Sequence, residues 1–279
     1  MDLSIIVLNY KTKAFLRQYI KGVFEQDWNF NFEVIVVDNN SNDGSVEMLK
    51  EEFLNNQQYE GLNLKLIESD KNTGHSIGNN IGIEKASGRY VLISNTDIIY
   101  FNPDDMKKMI DYMDNHQDIA VLGPKLKNAD GTIQDNCLRF YKFSTILNRR
   151  SFFSKTPWGK KDLERFSMHD FDHQKIKDVD WIMGAQQLIR KDFLEEAGNL
   201  DDRFFLYFAD TDICKQAWVK NKRVVYYPDV NIIHYHKRES AKSLRLKDIF
   251  GYTTRLHIKD WRRYIKKYGI KNSSTRKNN

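Results

Sequence analysis

Short apolar runs alternate with amphipathic stretches over residues 1–125. "LSIIVLNY" is a continuous apolar run, the pattern of a strand buried on both faces. The next stretch sets Phe15, Leu16, Tyr19, Ile20 and Val23 on one helical face. "FEVIVVDNNSNDGS" predicts a second buried strand ending in a polar loop, and "SVEMLKEEFLNN" a helix with Ser45 as N-cap. "LKLIESD" predicts a third strand, "KNTGHSIGNNIGIEKASG" a Gly/Asn-rich loop opening a helix, and "RYVLISNTD" a fourth strand. This alternation predicts an α/β fold, a parallel sheet covered by helices. Ligands of such sheets sit beyond the carboxyl ends of the strands. Asn9, Asp38, Asp70 and Asp97 all fall near those ends.

The second half has a weaker pattern. Residues 131–180 are irregular, aromatic and charged, and no element is assigned there. "VDWIMGAQQLIRKDFLEEAG" predicts a short apolar segment and a helix, and "RFFLYFADTDICKQAWVKNK" places two acids where an aromatic stretch meets a helix. "RVVYYPDVNIIHYH" predicts a strand, a turn at Pro228-Asp229, and a short strand ending in histidines.

Charge changes the picture at one end only. Residues 237–279 carry 14 Lys/Arg against 3 Asp/Glu, a net of +11; the rest carries 30 against 35, a net of −5. The basic character therefore belongs to the tail, and the acidic body argues against nucleic acid as a partner. In the tail, Leu246, Ile249, Phe250, Leu256, Trp261, Tyr264, Ile265 and Tyr268 recur close to helical spacing, flanked by Arg262, Arg263, Lys266 and Lys267. This pattern suits an anionic membrane surface, and equally a packing helix with a solvated basic face, or a homo-oligomer contact. No apolar run approaches the roughly 18 to 20 residues that span a bilayer. The amino terminus lacks the basic region of a secretory signal. Cys137 and Cys214 have no disulfide or metal spacing and are expected as small buried hydrophobes in a reducing cytoplasm.

Candidate chemistry sits at the polar breaks. An aspartate such as Asp97, between two apolar runs, costs free energy unless something pairs with it. Either backbone N–H groups cap it, or it holds Mg²⁺ or Mn²⁺ with diphosphate oxygens. Asp38 either makes a turn or grips a nucleoside. "NTGHSIGNN" has neither the dinucleotide fingerprint nor a Walker loop, but Gly74 and Gly78 allow close backbone approach to a phosphate at a helix N-terminus. Asp210 and Asp212 either complement a helix dipole or supply one general base between them. His234 and His236 alternate, so on a strand they point the same way, and one imidazole could join Asp97 at a cation.

Together, "SIIVLNY", "VIVVDNNSNDGS", "NTGHSIGNNIGIEKASGRYVLISNTD", "VDWIMGAQQLIRKDF" and "FFLYFADTDIC", followed by "IIHYHKRES", resemble glycosyltransferase family 2. Their order and content look most like its bacterial rhamnosyltransferase-type branch. The resemblance implies a GT-A fold over residues 1–245, with a Rossmann-like, mostly parallel central sheet flanked by helices. A nucleotide-sugar half (1–125) and an acceptor and catalytic half (126–245) are then expected, with a basic helical tail over 246–279. It implies an inverting transfer from a dTDP- or UDP-sugar to a glycan or lipid-linked glycan, with Mn²⁺ or Mg²⁺ as cofactor. The location implied is cytoplasmic, peripheral on the inner face of the membrane.

By the same resemblance, Asp210 is the catalytic base, with Ala209 where an acid usually precedes it. Asn9, Tyr10, Asp38, Asn72, Gly74, Asn79, Asn95 and Asp97 form the donor side, Asn95 replacing the first acid of the D-x-D pattern. Trp181, Gly184, Ala185 and Asp212 lie on the acceptor side. Asp97 and His234 meet the metal, with His236 as the competing histidine.

Overall fold

The first strand, β1 (Leu3–Asn9), leads into α1 (Lys13–Phe24), β2 (Phe32–Asp38) and α2 (Ser45–Leu49). A computed structural model describes residues 1–149, 152–235 and 251–269. The chain continues through β3 (Leu64–Glu68), α3 (Gly74–Ile83), β4 (Tyr90–Ser94), β5 (Ile98–Ile99) and α4 (Asp104–Asn115). There follow β6 (Ile119–Lys127), β7 (Cys137–Leu138), α5 (Phe143–Arg149), α6 (Pro157–Phe166) and β8 (Lys177–Asp178). The last elements are β9 (Trp181–Ile182), β10 (Gln186–Arg190), α7 (Lys191–Ala197), α8 (Ala209–Val219), β11 (Arg223–His234) and α9 (Tyr252–Tyr268).

Among the described residues one sheet runs in the order β3-β2-β1-β4-β10-β6-β11-β5, with β8 beside β11. The block β3-β2-β1-β4 is parallel, as the alternating pattern predicts. Beyond it the sheet is mixed: β10 runs antiparallel to β4 and β6, while β6 and β11 are parallel. Successive residues point to opposite faces, and both faces are covered. Ile5, Val7, Val34 and Leu92 pack with Leu16 and Tyr19 of α1 and Met109 and Ile110 of α4. Ile6, Ile35, Val37 and Ile93 pack with Ile83 of α3 and Ile213 and Ala217 of α8. That double covering is why the strands read as unbroken apolar runs.

Two local expectations are corrected, and of the readings open for the tail one is seen. Ser45 is the first helical residue rather than the N-cap; Asp43 Oδ1 accepts from its backbone N at 3.0 Å, after Gly44 takes a left-handed φ of 81°. Pro228-Asp229 does not end a strand. It falls in a register shift between Tyr227 and Asn231 within one long β11, where a residue lacking N–H is tolerated. The amphipathic pattern of the tail, over 252–268, is a packing helix. Tyr264 is buried against Phe208, with ring centroids 5.3 Å apart. Asp260, fully buried, accepts from the backbone N–H groups of Leu206 and Tyr207, each at 3.1 Å. Arg255, Lys259, Arg262 and Lys266 face outward. Leu246, Ile249, Phe250 and His236 lie outside the described residues. Cys137 and Cys214 are buried free thiols, as expected; burial pushes Cys137 up to about 12.

One buried acid carries a stability prediction. Glu33 of β2 is inaccessible to solvent and takes hydrogen bonds from Ser4 Oγ (2.6 Å), Ser87 N (2.7 Å) and Lys65 Nζ (2.6 Å). Burial by itself would raise its pKa; the donors, Lys65 foremost, outweigh burial and hold it at about 2, against 4.5 for a free glutamate. A depressed pKa stabilises the fold above the unfolded value and loses that contribution as pH falls through the folded one. Stability should therefore decline on acidification from pH 4.5 toward about 2. Glu33→Gln should flatten this decline in denaturant titrations run across that range.

Candidate active site

The carboxyl ends of β1, β2 and β4 lie side by side, with Asn9 opposite Asp38 and Val7 opposite Ser94. Asn9, fully buried, donates from Nδ2 to Asp38 Oδ2 (2.6 Å) and Ser41 Oγ (2.9 Å), and accepts from Thr12 Oγ1 (2.6 Å). Ser41 N caps the other oxygen of Asp38 at 2.9 Å. The loops after β1 and β2 are thus tied together around one buried carboxylate. Tyr10 stands half-exposed at their rim. Asn39 carries the tie onward: its side chain accepts from Thr73 N (2.9 Å) and donates to Asn72 Oδ1 (3.0 Å) and to the carbonyl of Gly74 (3.2 Å). Gly74 has φ 83°, and a Cβ there would lie 2.4 Å from the carbonyl oxygen of Phe205, so the position requires glycine.

Asp97 follows the end of β4, and β5 then pairs antiparallel with the end of β11, setting His234 opposite Ile98. His234 Nε2 lies 3.2 Å from Asp97 Oδ1 and 3.4 Å from Asn95 Nδ2. Its Nδ1 lies 2.7 Å from Gln134 Oε1. His234 is buried, whereas the Asp97 side chain keeps about a fifth of its surface open. These residues fit a divalent cation. Two donors at adjacent octahedral positions, with bonds of about 2.1 Å, stand about 3 Å apart, close to the distance observed. One carboxylate and one imidazole suit Mn²⁺ better than Mg²⁺. No group of three His, Cys, Asp or Glu gathers among the described residues.

Asp210 opens α8. Its Oδ2 accepts from Gly184 N (3.1 Å) and its Oδ1 from Thr211 N (2.8 Å) and Thr211 Oγ1 (3.4 Å). These donors supply the local support that an acid at the Ala209 position does not provide here. A Cβ on Gly184 would come within 3.3 Å of Asp210 Cβ, so glycine permits this approach. Burial pushes the Asp210 carboxyl up; the Gly184 N–H, the His75 imidazole and the Thr211 donors hold it back. His75 in turn is pushed down by burial and pulled up by Asp210.

The two groups are mechanically linked. Asn95 N donates to the carbonyl of Ala185 at 3.0 Å, and the neighbouring Gly184 N–H holds Asp210. The 184–185 turn thus ties the cation-side residues to the candidate base.

Other predicted residues are not brought to this cleft. Asp212 is corrected: it is fully buried and bound by Lys267 Nζ (2.9 Å), Tyr268 Oη (2.8 Å) and Gln216 Nε2 (3.0 Å). Two residues along a helix is a rotation of roughly 200°, so Asp210 and Asp212 face opposite ways. Asn79 is buried and donates back to the His75 carbonyl at 2.8 Å. Trp181 is mostly buried, donating to the Arg139 carbonyl at 3.0 Å and stacked on Tyr141. The pattern also missed residues. Gln134 lies in the unassigned stretch. His75 was in view within "NTGHSIGNN", but nothing in its spacing points to a carboxylate 135 positions later.

The central sheet, parallel in its β3-β2-β1-β4 block and flanked by helices, is the fold of the GT-A glycosyltransferases. The chain belongs to glycosyl transferase family 2, whose family model matches residues 4–196. It is 28% identical over 160 residues to the poly(ribitol-phosphate) beta-N-acetylglucosaminyltransferase TarS of Staphylococcus aureus, covering 56% of this chain and 27% of that one. The chain thus spans about a quarter of that relative's length. It is 23% identical over 225 residues to the N-acetylglucosaminyl-diphospho-decaprenol L-rhamnosyltransferase of Mycobacterium tuberculosis, covering 75% of this chain and 67% of that one. Among solved structures, the mannosyltransferase PcManGT of Pyrobaculum calidifontis, in complex with GDP-Man and Mn²⁺, superposes with a TM-score of 0.59. Its identity is 15%, over 96% of this chain and 71% of that one, a likeness of fold.

Proposed function

We propose that the protein is an inverting, cation-dependent transferase. It moves a sugar, L-rhamnose from dTDP-rhamnose as first choice, to a hydroxyl of a lipid-linked or growing bacterial surface glycan. The observation that carries this reading is the bridge Asn95–Ala185–Gly184–Asp210, which joins Asn95, beside the Asp97–His234 pair, to the half-buried candidate base across two adjacent residues. Asp38, Asn9 and the rim residue Tyr10 hold the nucleoside, and the Gly74 loop lies against the diphosphate. Asp97 and His234 hold the cation, which when bound neutralises charge on the leaving diphosphate. Asp210 takes the proton of the acceptor hydroxyl. That oxygen forms its bond to C1 as the bond from C1 to the phosphate oxygen breaks on the opposite face, and the configuration inverts. A second reading, a UDP-N-acetylhexosamine donor, is favoured by the identity to TarS.

A thermal-shift titration with UDP, dTDP and GDP, each with and without Mn²⁺, tests the reading. A ligand specific for the folded state adds about 2.7 kcal/mol at a hundredfold excess over its dissociation constant. A Mn²⁺-dependent shift with dTDP supports the first choice, and one with UDP the second. No shift with any nucleotide at saturating concentration overturns both.

An anionic membrane is the proposed setting. No helix among the described residues is long and apolar enough to cross a bilayer. Instead α5, α6 and the 3₁₀ turn Phe152–Lys155 between them, from the stretch left unassigned, expose Phe143, Phe153 and Trp158, with Lys142, Lys155, Lys160 and Lys161 also exposed. Phe143 packs on Trp261 of α9, with ring centroids 5.7 Å apart, which brings the outward basic face of α9 alongside. The full chain should float with phosphatidylglycerol vesicles and far less with phosphatidylcholine. Lys160→Glu combined with Lys161→Glu should weaken flotation by more than roughly 1 kcal/mol per lysine. Equal behaviour on both lipids would remove the membrane.

A further inference from the structure

The geometry points to Gln134 as a positioning residue that fixes the His234 tautomer, so that Nε2 turns a lone pair toward Asp97. This rests on the cation site proposed above. Hydrogen-bond polarity can be assigned along a chain that starts from a group with one role. The carboxylate of Asp130 only accepts. Thr132 Oγ1 lies 2.6 Å from Asp130 Oδ1 and gives its single proton there. The same hydroxyl must therefore accept from Asn128, 2.9 Å away, so Nδ2 of that amide faces it. Asn128 Oδ1 is then turned to Gln134 and accepts from Nε2 at 2.9 Å. That leaves Gln134 Oε1 toward His234 Nδ1, at 2.7 Å. A carbonyl oxygen cannot donate, so Nδ1 carries the hydrogen. In the neutral ring Nε2 is then an acceptor.

The backbone holds these side chains in register. Asn128 N donates to the Thr132 carbonyl (2.8 Å), Gly131 N to the Asn128 carbonyl (2.9 Å), and Gln134 N to the Leu126 carbonyl (2.9 Å). Gly131 closes the turn with a φ of 82°. Gln134 and His234 are both at least nine-tenths buried, so water does not readily compete at the last link. The reversed Gln134 amide would set its oxygen against Asn128 Oδ1, two acceptors face to face. In the neutral ring, with Nδ1–H fixed, Nε2 and Asp97 Oδ1 are two acceptors 3.2 Å apart. A cation between them turns that repulsion into attraction, and an oriented imidazole gives up less on binding it.

The test uses the full-length protein with ¹⁵N-labelled imidazole, free of metal, at a pH where the ring is neutral. The His234 signals are identified by their loss in His234→Asn. The expected result is hydrogen-bearing Nδ1 and bare Nε2 in the parent. Gln134→Leu should give mixed tautomers. Mn²⁺ titration by electron paramagnetic resonance, with dTDP or UDP present, should show a 10- to 100-fold weaker affinity in Gln134→Leu. Hydrogen-bearing Nε2 in the parent overturns the inference, whatever the metal does. Parental Mn²⁺ affinity in Gln134→Leu also overturns it. The expected tautomer without Mn²⁺ binding in the parent overturns the cation reading itself, and with it the role given to Gln134.

Discussion

Asp210→Asn should lower sugar transfer by about 10²- to 10⁴-fold while nucleotide affinity stays at the parental value. The amide keeps the volume of the carboxyl, and its one oxygen can still accept from Gly184 N, so the 184–185 contact is kept while the Thr211 N–H loses its acceptor to the amide nitrogen. What it cannot do is take a proton. The pH dependence follows from the same environment. Burial pushes the Asp210 carboxyl above its ordinary range, so the acid limb of kcat/KM should lie above about 3.9. Activity falls as pH drops through that limb, because only the ionised form is a base. The stability sign is the reverse. A raised carboxyl pKa stabilises the fold most below the unfolded value, and that contribution is lost as pH rises through the folded one. At neutral pH the Asn variant should stay folded, because relief from burying a charge offsets the Thr211 N–H contact it gives up, which separates lost catalysis from lost folding. Unchanged turnover in this variant would remove Asp210 as the base.

Asp97→Ala should abolish the cation dependence of nucleotide binding. Loss of residues that merely orient a ligand costs about 10- to 100-fold in metal affinity, so loss of the ligand itself should cost at least that. Calorimetric titration of dTDP or UDP, with and without Mn²⁺, reads the effect directly. In the variant both titrations should match the metal-free parent. The fold should hold, since the Asp97 side chain is partly open to solvent and its carbonyl still accepts from Tyr235 N at 2.7 Å. A parent that binds nucleotide equally well without any divalent cation would end the metal assignment.

Much of the sheet was legible in the chain because its pattern is local. A strand covered on both faces is apolar at most positions, and β1, β2 and β4 are, with Ser4 and Glu33 hydrogen-bonded to each other inside the runs of β1 and β2. The polar residues that close those strands were legible for the same reason: Asn9 and Asp38 stand where burial ends and a ligand edge begins. The second half was less so. Residues 131–180 form short helices and two-residue strands, too brief for periodicity to register. Asp210 and Asp212 were indistinguishable by type and spacing, and only the helical rotation, with Lys267 and Tyr268 waiting on α9, sends one to the cleft and the other to a buried ion pair.

By itself, then, the sequence determined the parallel block, its order of strand and helix, and the candidate aspartates at its carboxyl edge. These depend on spacing within a single element. The antiparallel insertion of β10, the burial of Asp212 against Lys267 and Tyr268, and the 3.2 Å approach of His234, 137 positions away, to Asp97 were decided only by tertiary structure. So was the hydrogen-bond chain through Gln134. Each joins residues whose separation along the chain carries no record of the distance the fold brings them to, and each depends on burial that neither residue has until both faces of the sheet are covered.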